Sequence, residues 1–194
     1  MSETASIKDD SVMLHNVRLS FPDLFQAVQY EGAGPFSYKA SFLIVPGSDN
    51  DKKIRAAIER AGTAKWGAKA AAIVKQAEAQ GSGKFCYIDG NTKAYDGYEG
   101  MMALAASRPQ DAGAPKILDR DLSVTLTAAD GRPYGGCQVN GKIAIWAQDN
   151  KFGKAIRATL IAVQFAKDGD SFGGTGPANA DGFESVESDG DDLA

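Results

Sequence analysis

The chain has 194 residues, 43% of them hydrophobic, which is enough for one domain with a real core. It shows no membrane-length apolar run, no export signal at its start, and only two isolated cysteines and one histidine, so a soluble cytoplasmic protein without a zinc site is expected. The net charge of −4 conceals a split: of 25 Asp+Glu, eight fall from Asp168 onward with no base among them, which leaves 17 acids against all 21 Lys+Arg in residues 1–167.

Taken in chain order, residues 1–11 are polar and are expected to be loose. "VMLHNVRLSFPDLF" predicts a strand in which Val17, Leu19 and Phe21 alternate with Arg18 and Ser20 and which Pro22 ends. "EGAGP" predicts a turn. "FSYKASFLIVP" predicts a second strand, closed by Pro46-Gly47. Ser48 then caps a helical insert over about 49–80, with Ile54, Ala57, Ile58 and Ala61 at helical spacing and interruptions at Gly62 and Gly67. Bases outnumber acids there by eight to four between Asp49 and Lys84. The remainder reads as short strands: "GKFCYIDG", "MMALAASR", "KILDRDLSVTLTA" with a short strand or turn and then a strand, and a hairpin of "CQVNGKIAIWAQD" and "KAIRATLIAVQFAKD" about "NKFGK". "GDSFGGTGPANADG" is too rich in Gly and polar residues to pack, so residues 168–194 are expected to be a disordered acidic tail. Short strands with one helical insert predict a mainly β fold, a small, partly open barrel.

No motif demands catalysis. "GSGK" at Gly81–Lys84 lacks the first glycine of a phosphate loop, which would fall on Glu78, and Phe85 stands where a Ser or Thr must hold magnesium. "DGNTKAYDGYEG" starts with calcium-loop spacing but places Lys93 and Gly100 where oxygen ligands are needed. Asp89, Asp96, Asp119 and Asp121 would have to serve a metal-dependent nuclease, the weakest of the readings; no catalytic residue, metal or cofactor is expected.

Basic residues interleaved with aromatics carry the stronger signal. On the strand "GCQVNGKIAIWAQD", Lys142 and Trp146 share a face with Gln138 and Asn140, while Cys137, Val139, Ile143 and Ile145 share the other. Trp146 is then either a stacking platform or a core residue under the helical insert. "TKAYDGYEG" places Lys93, Tyr95 and Tyr98 in one loop, "GRPYGG" places Arg132 and Tyr134 at a turn, and Lys151 and Lys154 flank Phe152 in the last hairpin. Aromatic faces stack bases and neighbouring cations meet phosphates. Each tyrosine taken singly has an ordinary alternative, that of pinning its own loop to the core.

The strands "NVRLSFPDLF" and "YKASFLIVP", the loop "DGNTKAYDGYEG", the run "YGGCQVNGKIAIWAQDNKFGKAIRATL" and the close "VQFAKDGDSFGG" together resemble the bacteriophage single-stranded-DNA-binding proteins with an OB fold. The resemblance covers most of residues 12–174. It implies an OB barrel over 12–167 that binds single strands with little sequence preference in replication, recombination or repair. It also implies an acidic C-terminal tail of the kind the family carries, although this chain ends Leu193-Ala194 where some relatives end on an aromatic. The charge split gives that tail a role: competition for the DNA groove and recruitment of replication or recombination proteins. Self-association is left open. The competing class is a phage structural or assembly protein that binds protein instead of DNA.

Overall fold

The computed structural model describes residues 11–172. The expected loose N-terminus, but for Ser11, and most of the expected acidic tail lie outside the described residues. Seven strands form one sheet: β1 (Ser11–Tyr30), β2 (Ala33–Ile44), β3 (Tyr87–Asp89), β4 (Met102–Pro109), β5 (Lys116–Leu118), β6 (Gln138–Asn150) and β7 (Gly153–Lys167), in the order β3-β4-β2-β1-β6-β7-β5. An additional parallel pairing of β4 with β7, at Ser107 and Thr159, brings the ends of that order together. β1, β2, β4, β7 and β6 thus close a five-stranded barrel, while β3 and β5 extend it outside the ring. This is the expected OB-type barrel.

The closure is partial. Between β4 and β7 the chain inserts a wedge, Lys84–Cys86: Cys86 N–H donates to Ile156 O at 3.0 Å and Ala105 N–H donates to Cys86 O at 2.8 Å. Burial pushes the Cys86 thiol up to about 12 and the Cys137 thiol up to about 11. Both are packing groups, as two isolated thiols suggested.

Period-two alternation places Val12, Leu14, Val17 and Leu19 of β1, Phe42 and Ile44 of β2, Val139 and Ile143 of β6, and Ile156, Leu160 and Phe165 of β7 in one buried core. Each large side chain fully buried there contributes about 1.5–3 kcal/mol before chain entropy is counted.

β1 departs from the expected strand in two ways. It does not stop at Pro22 but runs on to Tyr30. The ladder with β2 slips between Ser20 and Asp23, so the missing Pro22 N–H costs no regular hydrogen bond. The same slip reverses the alternation: Ser20 is buried, and Phe21, expected inside with Val17 and Leu19, is 55% exposed.

The helical insert comprises α1 (Asp49–Trp66) and α2 (Ala70–Ala79), separated at Gly67, whose φ of 55° disfavours any side chain. The Ser48 side chain accepts from Asp51 N–H, as expected of a cap. Ile54, Ala57, Ile58 and Ala77 seal the barrel core. The insert is fixed by the buried Asp51, whose carboxylate accepts from Gly47 N–H (2.8 Å), Tyr87 Oη (2.7 Å) and Arg55 Nε (2.8 Å). Burial alone would raise the Asp51 pKa; these donors outweigh it and hold the group below the usual carboxylate range.

Candidate nucleic-acid interface

The slip in β1 builds the centre of the candidate interface. Phe21 has a φ of 45°, a left-handed conformation that a bulky residue rarely adopts, and its ring turns outward. Tyr95 meets it edge-on, with ring centroids 4.9 Å apart, and is itself 49% exposed. Tyr98 lies behind both, 5.2 Å from Tyr95 and 6.3 Å from Phe21. Tyr98 is buried, and its hydroxyl lies 3.2 Å from Ser20 Oγ, so it cannot offer a face to a base as expected. It supports the two rings that can. Lys93 opens the same loop, its N–H donating to Gly90 O.

A cleft of ≈ 230 Å³ runs from Phe21 over the outer face of the barrel, lined also by Lys39 of β2, Ser107 of β4 and Arg157 of β7, and by one acid, Asp23, which stands opposite Lys39 in the β1–β2 ladder. Trp146 pairs across the ladder with Arg157, so the two side chains share a face. Trp146 is 45% exposed and is not covered by the helical insert. Arg157 Nε donates to Gln148 Oε1 at 3.3 Å, a neutral partner.

Two turns border this face. The β1–β2 turn carries Tyr30, exposed, with Lys39 Nζ 5.4 Å from its ring centre. The β6–β7 turn carries Lys151 and Phe152; Phe152 is exposed, with Lys151 Nζ 5.0 Å over its ring. Lys84 Nζ donates to Phe152 O at 2.6 Å and holds this tip. In five-stranded OB barrels the second and third strands and the loops 1–2 and 4–5 are the usual oligonucleotide surface; here those are β2, β4 and the two turns just named.

Other expected residues lie elsewhere or are already engaged. Lys154 Nζ pairs with Asp149 at 2.6 Å, on the same carboxylate oxygen that accepts from Trp66 Nε1, so the expected phosphate contact is spent on joining α1 to the hairpin. Arg132 pairs with Asp119 at 2.6 Å. Tyr134 donates from its hydroxyl to Asp168 Oδ1 (2.9 Å) and accepts from Gly169 N–H (3.2 Å). Lys142 is exposed, but it stands beside Met13 on β1 and Ala162 on β7, away from the cleft. Among the described residues the acids of the nuclease reading do not gather into a metal-binding group: Asp119 is held by Arg132, Asp121 accepts from Ser123, and Asp89 accepts from Asn91.

The segment expected to be disordered from residue 168 is packed against the barrel over its first five residues. Besides the Tyr134 contacts, Arg18 donates to Asp170 O (2.7 Å) and Gly136 O (3.2 Å), and Phe172 N–H donates to Gly135 O (3.0 Å). The Arg18 guanidinium lies 4.2 Å over the Phe172 ring. The backbone groups of Gly135 and Gly136 dock this strap, and such contacts carry no strong sequence signal.

Sequence reasoning missed Phe21, Tyr30, Lys39 and Arg157. Lys39 and Arg157 were within reach: "YKASF" and "AIRATL" alternate, and both bases fall on the outward phase. Phe21 was not, because the slip at Ser20 inverts the phase that alternation extrapolates.

Residues 10–193 match the family described as Enterobacter phage Enc34, ssDNA-binding protein. A protein named p50, from Acyrthosiphon pisum secondary endosymbiont phage 1, is 42% identical over 177 residues, covering 90% of this chain and 93% of p50. Among solved structures, the single-stranded DNA-binding protein from bacteriophage Enc34, in complex with ssDNA, aligns with a TM-score of 0.69 at 25% identity over 86% of this chain and 91% of that one. Gp2.5, a single-stranded DNA binding protein encoded by bacteriophage T7, aligns with a TM-score of 0.52 at 14% identity over 91% of this chain and 98% of that one, a likeness of fold alone. The chain belongs to the Enc34 ssDNA-binding family, whose members are binding proteins and not enzymes.

Proposed function

We propose that this member of the Enc34 family binds single-stranded DNA across the outer β2–β4–β7 face, with little sequence preference, during phage DNA replication, recombination or repair in the host cytoplasm. The observation that carries the reading is the row of solvent-facing aromatics and cations around one cleft: Phe21 and Tyr95 at one end, Lys39 and Arg157 along it, and Trp146 beside Arg157. The bases stack on the rings, each stack contributing about 1–3 kcal/mol whatever the base. The cations neutralise phosphates and release counterions, so affinity falls with salt. The complex formed by the Enc34 relative with ssDNA supports the same partner here.

The acidic residues from Asp181 onward compete for the same cations when DNA is absent and are released to replication or recombination proteins when it binds. Titration with oligo-dT, followed by tryptophan fluorescence at low salt, tests the core of the reading. Quenching that is lost in Trp146→Phe, with binding kept by anisotropy, is the expected result. Absence of binding at low salt by both readouts would overturn it in favour of a protein-binding assembly factor.

A further inference from the structure

A second pocket, of ≈ 410 Å³, opens on the other side of Phe21. Phe21, Pro22, Tyr95 and Phe172 supply flat apolar walls, and Asp96 lines the same space. The wall formed by Phe172 is set in advance. Its ring lies under Arg18, its N–H is held by Gly135 O, and it packs so closely on the loop that a Cβ at Gly97 would lie 2.6 Å from the ring. Gly97 also has a φ of 78°, so both backbone and space require glycine there. A wall already in place lowers the ordering cost of binding.

A carboxylate in a site for a polyanion repels phosphate, but it suits the edge of a base: it accepts from an exocyclic amino group, as Asp and Glu do from cytosine N4. We propose that this pocket takes one unpaired nucleobase carrying an exocyclic amino group, cytosine foremost, between the Phe21–Tyr95 pair and Phe172, with the Asp96 carboxylate accepting from the amino group. Thymine presents a carbonyl oxygen at that position, which repels the carboxylate, and leaves Asp96 only the ring N3–H to accept from. The assignment rests on the single-strand reading above and adds to it a preference at one nucleotide. It also makes Asp168–Phe172 part of the binding domain and not the start of its tail.

The test measures anisotropy of the full chain with oligo-dC and oligo-dT of equal length at matched salt. The expected result is that Asp96→Ala lowers the dC-to-dT affinity ratio about fivefold, while dT affinity stays level or rises as a negative charge leaves. Phe172→Ala weakens both oligomers about tenfold, and Phe172→Tyr keeps them near wild type. Asp96 is exposed, so its variant remains informative even if Phe172→Ala loosens the strap. An unchanged ratio in Asp96→Ala, with both oligomers still bound, overturns the pocket assignment alone. Failure of the wild-type chain to bind either oligomer overturns the single-strand reading together with it.

Discussion

Two regions of the barrel carry the same sequence character, aromatic residues beside cations, and the fold uses them in opposite ways. Around Phe21 and Tyr95 the rings are exposed, and the cations Lys39 and Arg157 have no acid as hydrogen-bonding partner among the described residues. Around Tyr134 the hydroxyl is bound to Asp168 and Gly169, and Arg132 is bound to Asp119. The difference lies in partners brought in from elsewhere in the chain, Asp168 being 34 residues from Tyr134 and Asp119 13 from Arg132. A cation or a tyrosine is available to a ligand only where no such partner reaches it.

The contrast can be broken most directly through the aromatics. Phe21→Ala should weaken single-strand binding by about 1–3 kcal/mol in a fluorescence titration. Tyr134→Phe should leave binding near wild type and lower stability by about 1 kcal/mol in urea unfolding, the value of a lost hydrogen bond. The reverse outcome would exchange the roles of the two regions. The cations give the next largest effect. Lys39→Ala and Arg157→Ala should each reduce the slope of log affinity against log salt by about one, whereas Arg132→Ala and Lys142→Ala should leave the slope unchanged.

The smallest effect concerns acid. The hydrogen bond from Arg132 is the first cause that lowers the Asp119 pKa below its ordinary 3.8, followed by the Arg120 N–H. A carboxylate lowered in the folded state contributes stability above its unfolded pKa and loses it as pH falls through the folded one. Thermal melts between roughly pH 5 and 2 should therefore fall less steeply in Asp119→Asn than in wild type. The same substitution at an exposed acid without such donors should not alter the profile.

Much of the barrel was legible from alternation alone. The faces of β6 and β7, the Ser48 cap and the outward placement of Trp146 on its strand all follow from period and residue type. The site was only half legible. Tyr95 and Phe152 are exposed as expected, and of the two readings of Trp146 the exposed one holds, but Tyr98, in the same loop as Tyr95, is the buried prop of its neighbour, and sequence spacing does not distinguish the two. Phe21 depends on a slip in the β1–β2 ladder, an event in the pairing of two strands and not in either one. The strap was hidden for a similar reason: Gly135, Gly136 and Gly169 allow close backbone contact without leaving an apolar pattern to read. A chain ending at Phe172 should accordingly melt close to full length, while one ending at Lys167 should melt lower by roughly 4 °C, as the Arg18 and Tyr134 contacts are lost.

The wedge between β4 and β7 gives the barrel a clock. The Cys86 thiol sits in that seam, and with its pKa at about 12 almost none of it is thiolate near neutral pH. Cys86 is buried but lines the cleft, so a maleimide reaches it past Ser107 and Arg157 or when the Lys84–Cys86 segment lifts away from Ile156 and Ala105. The labelling rate, read by mass on the peptide that holds Cys86 and so apart from Cys137, is then the rate at which this thiol is exposed multiplied by the reagent's success per exposure. A strand of DNA laid across Ser107 and Arg157 would close that seam and slow the clock, which reports occupancy without any label on the DNA.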